Sequence, residues 1–104
     1  MTTVFVDAEN VRRSKWPNVA PDELVRLVRA WAERAEVDAV VVFDGRAPDG
    51  AVGTEGETAD DWIARAAAEA DGYWLVTSDR GLRARAGERA ERVVGGGSFL
   101  REIL

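Results

Sequence analysis

The 104-residue sequence contains neither cysteine nor histidine, and each absence removes whole classes of chemistry. Without cysteine there is no disulfide, no thiolate nucleophile and no thiolate metal site. Without histidine there is no serine–histidine triad, no imidazole-ligated zinc and no imidazole proton shuttle. Any acid–base or metal chemistry must rest on Asp and Glu. Lysine is nearly missing too, since Lys15 stands alone among arginines. No apolar run approaches the roughly 18 residues that a membrane-spanning helix needs. Met1 to Val6 lack the basic start and long apolar stretch of a secretion signal, so a cytoplasmic protein is expected. Acidic residues exceed basic ones, 19 to 14, giving a net charge of −5. That balance argues against binding nucleic acid by bulk electrostatics, although a local basic rim is compatible with it.

What is present suits one domain spanning residues 1–104, long enough to bury roughly two-thirds of its unfolded surface. Thr3-Val4-Phe5-Val6 is a continuous apolar run ending at Asp7, the pattern of a strand buried on both faces. Pro21, Asp22 and Glu23 open a helix, after which Leu24, Leu27, Val28 and Trp31 fall on one face. Ala39 to Phe43 is a second buried strand, stopping at Asp44-Gly45. Arg46 to Glu57 reads as a loop, with Ala51-Val52-Gly53 as a very short edge strand. Thr58 is placed to cap a helix over 59–70 that stops at Asp71-Gly72. Tyr73 to Val76 is the next strand, leading into Thr77-Ser78-Asp79. A short helix to about Gly87, a strand at Arg92-Val93-Val94 and a last helix capped by Ser98 complete the chain. Five strands alternating with four helices imply an α/β fold, a parallel sheet with helices on both faces. Such sheets bind ligands beyond the carboxyl ends of their strands.

Three strands then each deliver an aspartate to that edge: Asp7, Asp44 and Asp79. Asp60 and Asp61 lie in the first turn of the intervening helix, which also starts there. Helical phase puts Asp60 with Ile63, Ala67 and Ala70, and Asp61 on the opposite side with Arg65 and Ala68. Asp60 is the better placed to reach the sheet edge. Asp61, three residues after Thr58, suits the second half of a capping box. Any one acid has an ordinary explanation as a turn or cap residue. Convergence of Asp7, Asp60 and Asp79 is harder to explain that way. Two carboxylates about 4 Å apart repel by about 4 kcal/mol at an effective dielectric of 20, so clustering needs a proton or a cation. All-oxygen ligation favours Mg²⁺ or Mn²⁺, ions that acidify bound water and neutralise charge on a phosphoryl oxygen.

Other features allow two readings each. Asn10 either orients a water or a ligand carboxylate, or is simply a turn residue. Arg12, Arg13, Lys15 and Trp16 form a basic tract with one aromatic in the loop after Asp7. The tract suits phosphate contact with base stacking, or else is a solvated loop with Trp16 in the core. Arg46 and Arg80, beside Asp44 and Asp79, either touch phosphate or pair with neighbouring acids. Gly95-Gly96-Gly97 lacks a Walker lysine and is read as a turn.

The tract Val6-Asp7-Ala8-Glu9-Asn10, followed by Trp16-Pro17, resembles the opening of NYN domains of the PIN-like superfamily, specifically their YacP-like branch. Val42-Phe43-Asp44-Gly45, Glu57-Thr58-Ala59-Asp60-Asp61 and Thr77-Ser78-Asp79-Arg80 match that branch in the same order. The resemblance implies a PIN-like sheet of order 3-2-1-4-5 and a metal-dependent ribonuclease activity. It also implies metal-site roles for Asp7, Asp60 and Asp79, with Asp44 and Asn10 in support and Asp61 ranked lower. This chain has Ala8 where the family usually has Gly, and its segment between Asp44 and Asp60 is short.

The expected activity is thus hydrolysis of RNA, most naturally single-stranded, with Mg²⁺ or Mn²⁺ as cofactor. Two alternatives share the fold: an inactive RNA-binding or adaptor domain, and a toxin ribonuclease with a small protein partner. A homodimer is equally open. The first strand lacks a D-x-D pair, which counts against a small-molecule phosphohydrolase.

Overall fold

The apolar runs become the inner strands of one parallel sheet. In the computed structural model, which describes all of residues 1–104, the elements in chain order are β1 (Thr3–Asp7), α1 (Ala8–Arg12), α2 (Pro21–Ala35), β2 (Asp38–Phe43) and β3 (Val52–Gly53). There follow α3 (Ala59–Ala68), β4 (Tyr73–Val76), α4 (Arg80–Ala86), β5 (Arg92–Val94) and α5 (Gly96–Ile103). The sheet order is β3-β2-β1-β4-β5, with every neighbouring pair parallel. This is the expected 3-2-1-4-5 arrangement, and β1, the first strand made, lies at its centre. The edge strand β3 is two residues long, as the short Asp44–Asp60 segment requires.

Side-chain alternation along the strands sorts the core into two layers. Val4, Val6, Val41, Phe43 and Val76 face α1, α2 and α5, joining Val11, Leu24, Val28, Trp31, Phe99 and Leu100 in the larger cluster. Phe5, Val42 and Leu75 point the other way, against Ile63, Ala67 and Leu82 of α3 and α4. Each fully buried aliphatic or aromatic side chain contributes roughly 1.5–3 kcal/mol. Phe5 centres the smaller layer, its ring edge-to-face with Tyr73 at 5.7 Å and with Trp62 at 6.4 Å. In the larger layer Trp31 meets Phe99 edge-to-face at 4.9 Å, and its indole Nε1–H donates to Glu102 Oε2 at 2.7 Å.

Two local expectations are corrected. The residues after Asp7 are not a loop: five of them form α1, giving five helices in place of four. Salt bridges from Arg12 and Arg13 to Glu9, one helical turn back, hold this short element. Ser98 does not cap the last helix, which begins two residues earlier with Gly95 as its N-cap. Gly96 must stay small because a Cβ there would lie 2.4 Å from Asn10 Oδ1.

Candidate functional site

Strand register explains how residues far apart in sequence meet. Val6 pairs with Val76 across β1 and β4, so the next residues, Asp7 and Thr77, leave the sheet side by side. Thr77 donates its hydroxyl hydrogen to Asp7 Oδ2 at 2.8 Å. On the other side Asp7 pairs with Val42 of β2, and Asp44 follows two residues later. Asp44 Oδ1 accepts the Ala59 N–H at 2.7 Å, which fastens the start of α3 to the end of β2 and carries Asp60 to the same edge. Asp79 caps α4 by accepting the Leu82 N–H at 2.9 Å, and its own N–H donates to Thr77 Oγ1 at 3.1 Å. Asp7, Asp44 and Asp79 each have one carboxylate oxygen engaged by the scaffold in this way.

These elements enclose an open cleft of about 580 Å³ with no hydrophobic residue in its lining. Asp7, Asp44, Asp60 and Asp79 line it together with Glu9, Asn10, Arg13, Ser14, Thr58 and Ser78. Two carboxyls of this cavity, Asp7 and Asp60, are raised above the ordinary range. Burial is the main cause that pushes the Asp7 carboxyl up to about 6; Thr77 opposes it, while Asp60, Asp79 and Asp44 push the same way. Asp60 is also raised, first by burial, then by Asp79 and Asp44, with Arg85 opposing. Desolvation and like charges both disfavour the ionised form, so the cleft attracts positive charge. No group of three acidic side chains is drawn around one point in an arrangement that would hold a metal ion directly.

The remaining residues singled out in the sequence fall into distinct places. Asn10 lies at the cleft wall, where its Oδ1 accepts the Ser78 N–H at 2.9 Å. Arg13 reaches the cleft while paired with Glu9 at 2.8 Å. Arg12 is turned inward, held bidentately by Glu9 and donating to the Val19 carbonyl. Asp61 lies outside the cleft. Its N–H completes half of the capping box by donating to Thr58 Oγ1, while its carboxylate pairs with Arg85 at 2.7 Å. Lys15, Arg46 and Arg80 are exposed, form no ion pair and do not line the cleft. Trp16, one of whose readings put it in the core, is 85% exposed.

Sequence reasoning missed Thr77, Ser78, Glu9 and Ser14. For Thr77 a signal exists: it follows the apolar run Tyr73–Val76 as Asp7 follows Thr3–Val6. Ser78 ties α5 to the site, since its Oγ accepts the Gly96 N–H at 2.8 Å.

The parallel 3-2-1-4-5 sheet has counterparts among solved proteins, although no family model and no curated protein matches this chain. It is similar to Rae1 (YacP) from Bacillus subtilis, with a TM-score of 0.74 and 23% identity over 99% of this chain and 74% of that one. A mutant of the same protein aligns with a TM-score of 0.79 and 22% identity, covering 99% and 75%. The chain therefore has a YacP-like α/β fold.

Proposed function

We propose that this chain is a ribonuclease of NYN type within the PIN-like superfamily, hydrolysing phosphodiester bonds of single-stranded RNA with Mg²⁺ or Mn²⁺. The observation that carries the reading is the convergence of Asp7, Asp44, Asp60 and Asp79 on one polar cleft, with Asp7 and Asp60 both raised by burial first and by their acidic neighbours second. Clustered carboxylates are unfavourable without a counter-charge, and a divalent cation is the natural one. The donor set fits. It is all oxygen, and Asp7, Asp44 and Asp79 each leave one carboxylate oxygen free of the scaffold bonds described above. Mg²⁺ keeps several of its own waters and binds through one or two carboxylates, so a broad cleft without a tight three-acid cage suits it. Asp7, Asp60 and Asp79 would hold the ion between them, one or two directly and the rest through its waters, and Asp44 would orient solvent beside it.

The bound ion would supply Lewis-acid stabilisation of phosphoryl charge and a more acidic water. The protein's own contribution is placement. Thr77 fixes the Asp7 carboxylate, Asn10 fixes the Ser78 backbone, and Arg13 offers a cation at the rim for the phosphodiester. A cytoplasmic location accords with this substrate.

The direct test is cleavage of labelled single-stranded RNA by wild type, Asp7→Asn and Asp60→Asn in Mg²⁺, Mn²⁺ and EDTA. Cleavage by wild type in either metal, abolished by EDTA and by both substitutions, is the expected result. Product formed in EDTA, or by Asp7→Asn at the wild-type rate, overturns it. One observation favours a second reading, an RNA-binding adaptor that cleaves nothing: no three acids are assembled around a common point. RNA bound with no product in any metal is the outcome that selects it.

A further inference from the structure

Trp16 lies between α1 and α2 and is 85% exposed, beyond any other large apolar side chain except the terminal Met1 at 87%. Single exposed apolar residues are normal on protein surfaces. The surroundings of Trp16 set it apart. Its chain neighbour Lys15 helps line a hollow of about 240 Å³, together with Ser14, Gly97, Leu100, Arg101 and Leu104, with no acidic side chain among them. Ser14 also lines the acidic cleft, so the two cavities share a wall. Lys15 and Arg101 are exposed and unpaired by any acid; Arg101 makes only a long bond to Ser98 Oγ at 3.3 Å. Trp16 is two residues from Ser14, a span of at most about 7 Å.

We propose that Lys15, Arg101 and Trp16 form a second nucleic-acid subsite that takes the nucleotide adjoining the one in the cleft, a reading that rests on RNA being the cleft's substrate. Lys15 and Arg101 hold the neighbouring backbone phosphate, and the indole of Trp16 stacks on the attached base. The base must be unpaired, because a duplex covers both faces of each base. The net charge of −5 does not oppose this. At physiological salt charges are screened within about 8 Å, so a phosphate in the hollow responds chiefly to the two cations beside it. The subsite also gives the strand a direction of approach, from α5 across Ser14 into the cleft.

The test measures binding without cleavage: fluorescence anisotropy of a dye-labelled single-stranded oligoribonucleotide in EDTA, across a salt series. Trp16→Ala is expected to raise Kd roughly 5- to 150-fold, the range for losing one stacked base, and Trp16→Phe to recover most of it. Lys15→Ala with Arg101→Ala should flatten the salt dependence by about 0.7 in log Kd per log salt, the figure for losing one phosphate contact on a single strand. All three side chains are exposed, and matching circular dichroism will show the variants folded. Wild-type binding that all these variants share overturns the subsite while leaving the cleft reading intact. A change in self-association with RNA affinity unchanged also overturns it, because Trp16 would then serve a protein interface. Binding that shows the expected losses in a protein that never cleaves RNA supports the subsite and sinks the hydrolase reading. Absence of RNA binding in EDTA overturns the subsite, and absence of both binding and cleavage in Mg²⁺ and Mn²⁺ overturns the cleft reading as well.

Discussion

Thr77 and Asp7 meet across neighbouring strands through a 2.8 Å hydrogen bond between residues 70 positions apart in the chain. The hydroxyl does two things at once, donating to the Asp7 carboxylate and accepting the Asp79 N–H at 3.1 Å. It thereby couples two of the acids of the cleft through one fully buried side chain.

Thr77→Val keeps the shape of this side chain and removes both bonds. A buried carboxylate losing a donor is held still further from its charged form, so the Asp7 titration should move above the present value of about 6. Carbon-detected NMR titration of the aspartate carboxyls measures this directly. The lost bonds should also lower stability by about 1–3 kcal/mol. An Asp7 midpoint that falls on substitution would show that Thr77 does not stabilise the ionised carboxylate.

The raised Asp7 pKa also makes stability depend on pH. The folded-state value of about 6 lies above the ordinary 3.8, so folding favours the protonated form. The stabilisation associated with it is complete below pH 3.8 and disappears as pH rises through 6. Ionised Asp7 therefore costs the folded state up to about 3 kcal/mol at pH 8. Asp7→Asn, which can still accept from Thr77, should be more stable than wild type at pH 8 by up to that amount, and the difference should shrink toward pH 4. Urea unfolding at both pH values reads it. Added Mg²⁺ should stabilise wild type at pH 8 and leave Asp7→Asn nearly unchanged. A variant less stable than wild type at pH 8 would contradict the assignment.

Gly96 and Asn10 form a second coupled pair. An alanine Cβ at Gly96 would sit 2.4 Å from Asn10 Oδ1, the atom that holds the Ser78 N–H at 2.9 Å. Gly96→Ala should lower stability by about 1–3 kcal/mol, as overpacking does. Asn10→Ala relieves the contact, so the double variant should lose clearly less than the sum of the two single losses. Strict additivity in urea unfolding would mean that the two residues act independently.

The sheet was legible in the sequence because its inner strands are buried on both faces. Val4-Phe5-Val6 and Val40-Val41-Val42 can be little else at that length, and each run stops near an acid. The positions of Asp7, Asp44, Asp60 and Asp79 at one edge followed from strand ends and helical phase. The nature of the segment after Asp7 did not. Glu9, Asn10 and Arg12 look like loop polarity in isolation; they form a helix in which Val11 is fully buried and Glu9 pairs with Arg12 and with Arg13 at the C-cap. Asp61 misled for a related reason. Its spacing from Thr58 fits a capping box, but the distant Arg85 takes its carboxylate, and no local pattern announces that contact. Ser98 looked like the cap of the last helix because serine is a good cap; Gly95 holds that position, with the Gly96 N–H bonded to Ser78 instead.

The bonds from Thr77, Ala59 and Leu82 give the acids of the cleft a second identity as building blocks. Truncating Asp7, Asp44 or Asp79 to alanine would loosen a strand end or unfasten a helix along with any chemistry. Exchange for asparagine retains an oxygen for each of those contacts while removing the negative charge. Amide substitutions can thus silence the centre in a molecule that remains assembled, whereas loss of activity in an alanine variant would confound architecture with reaction.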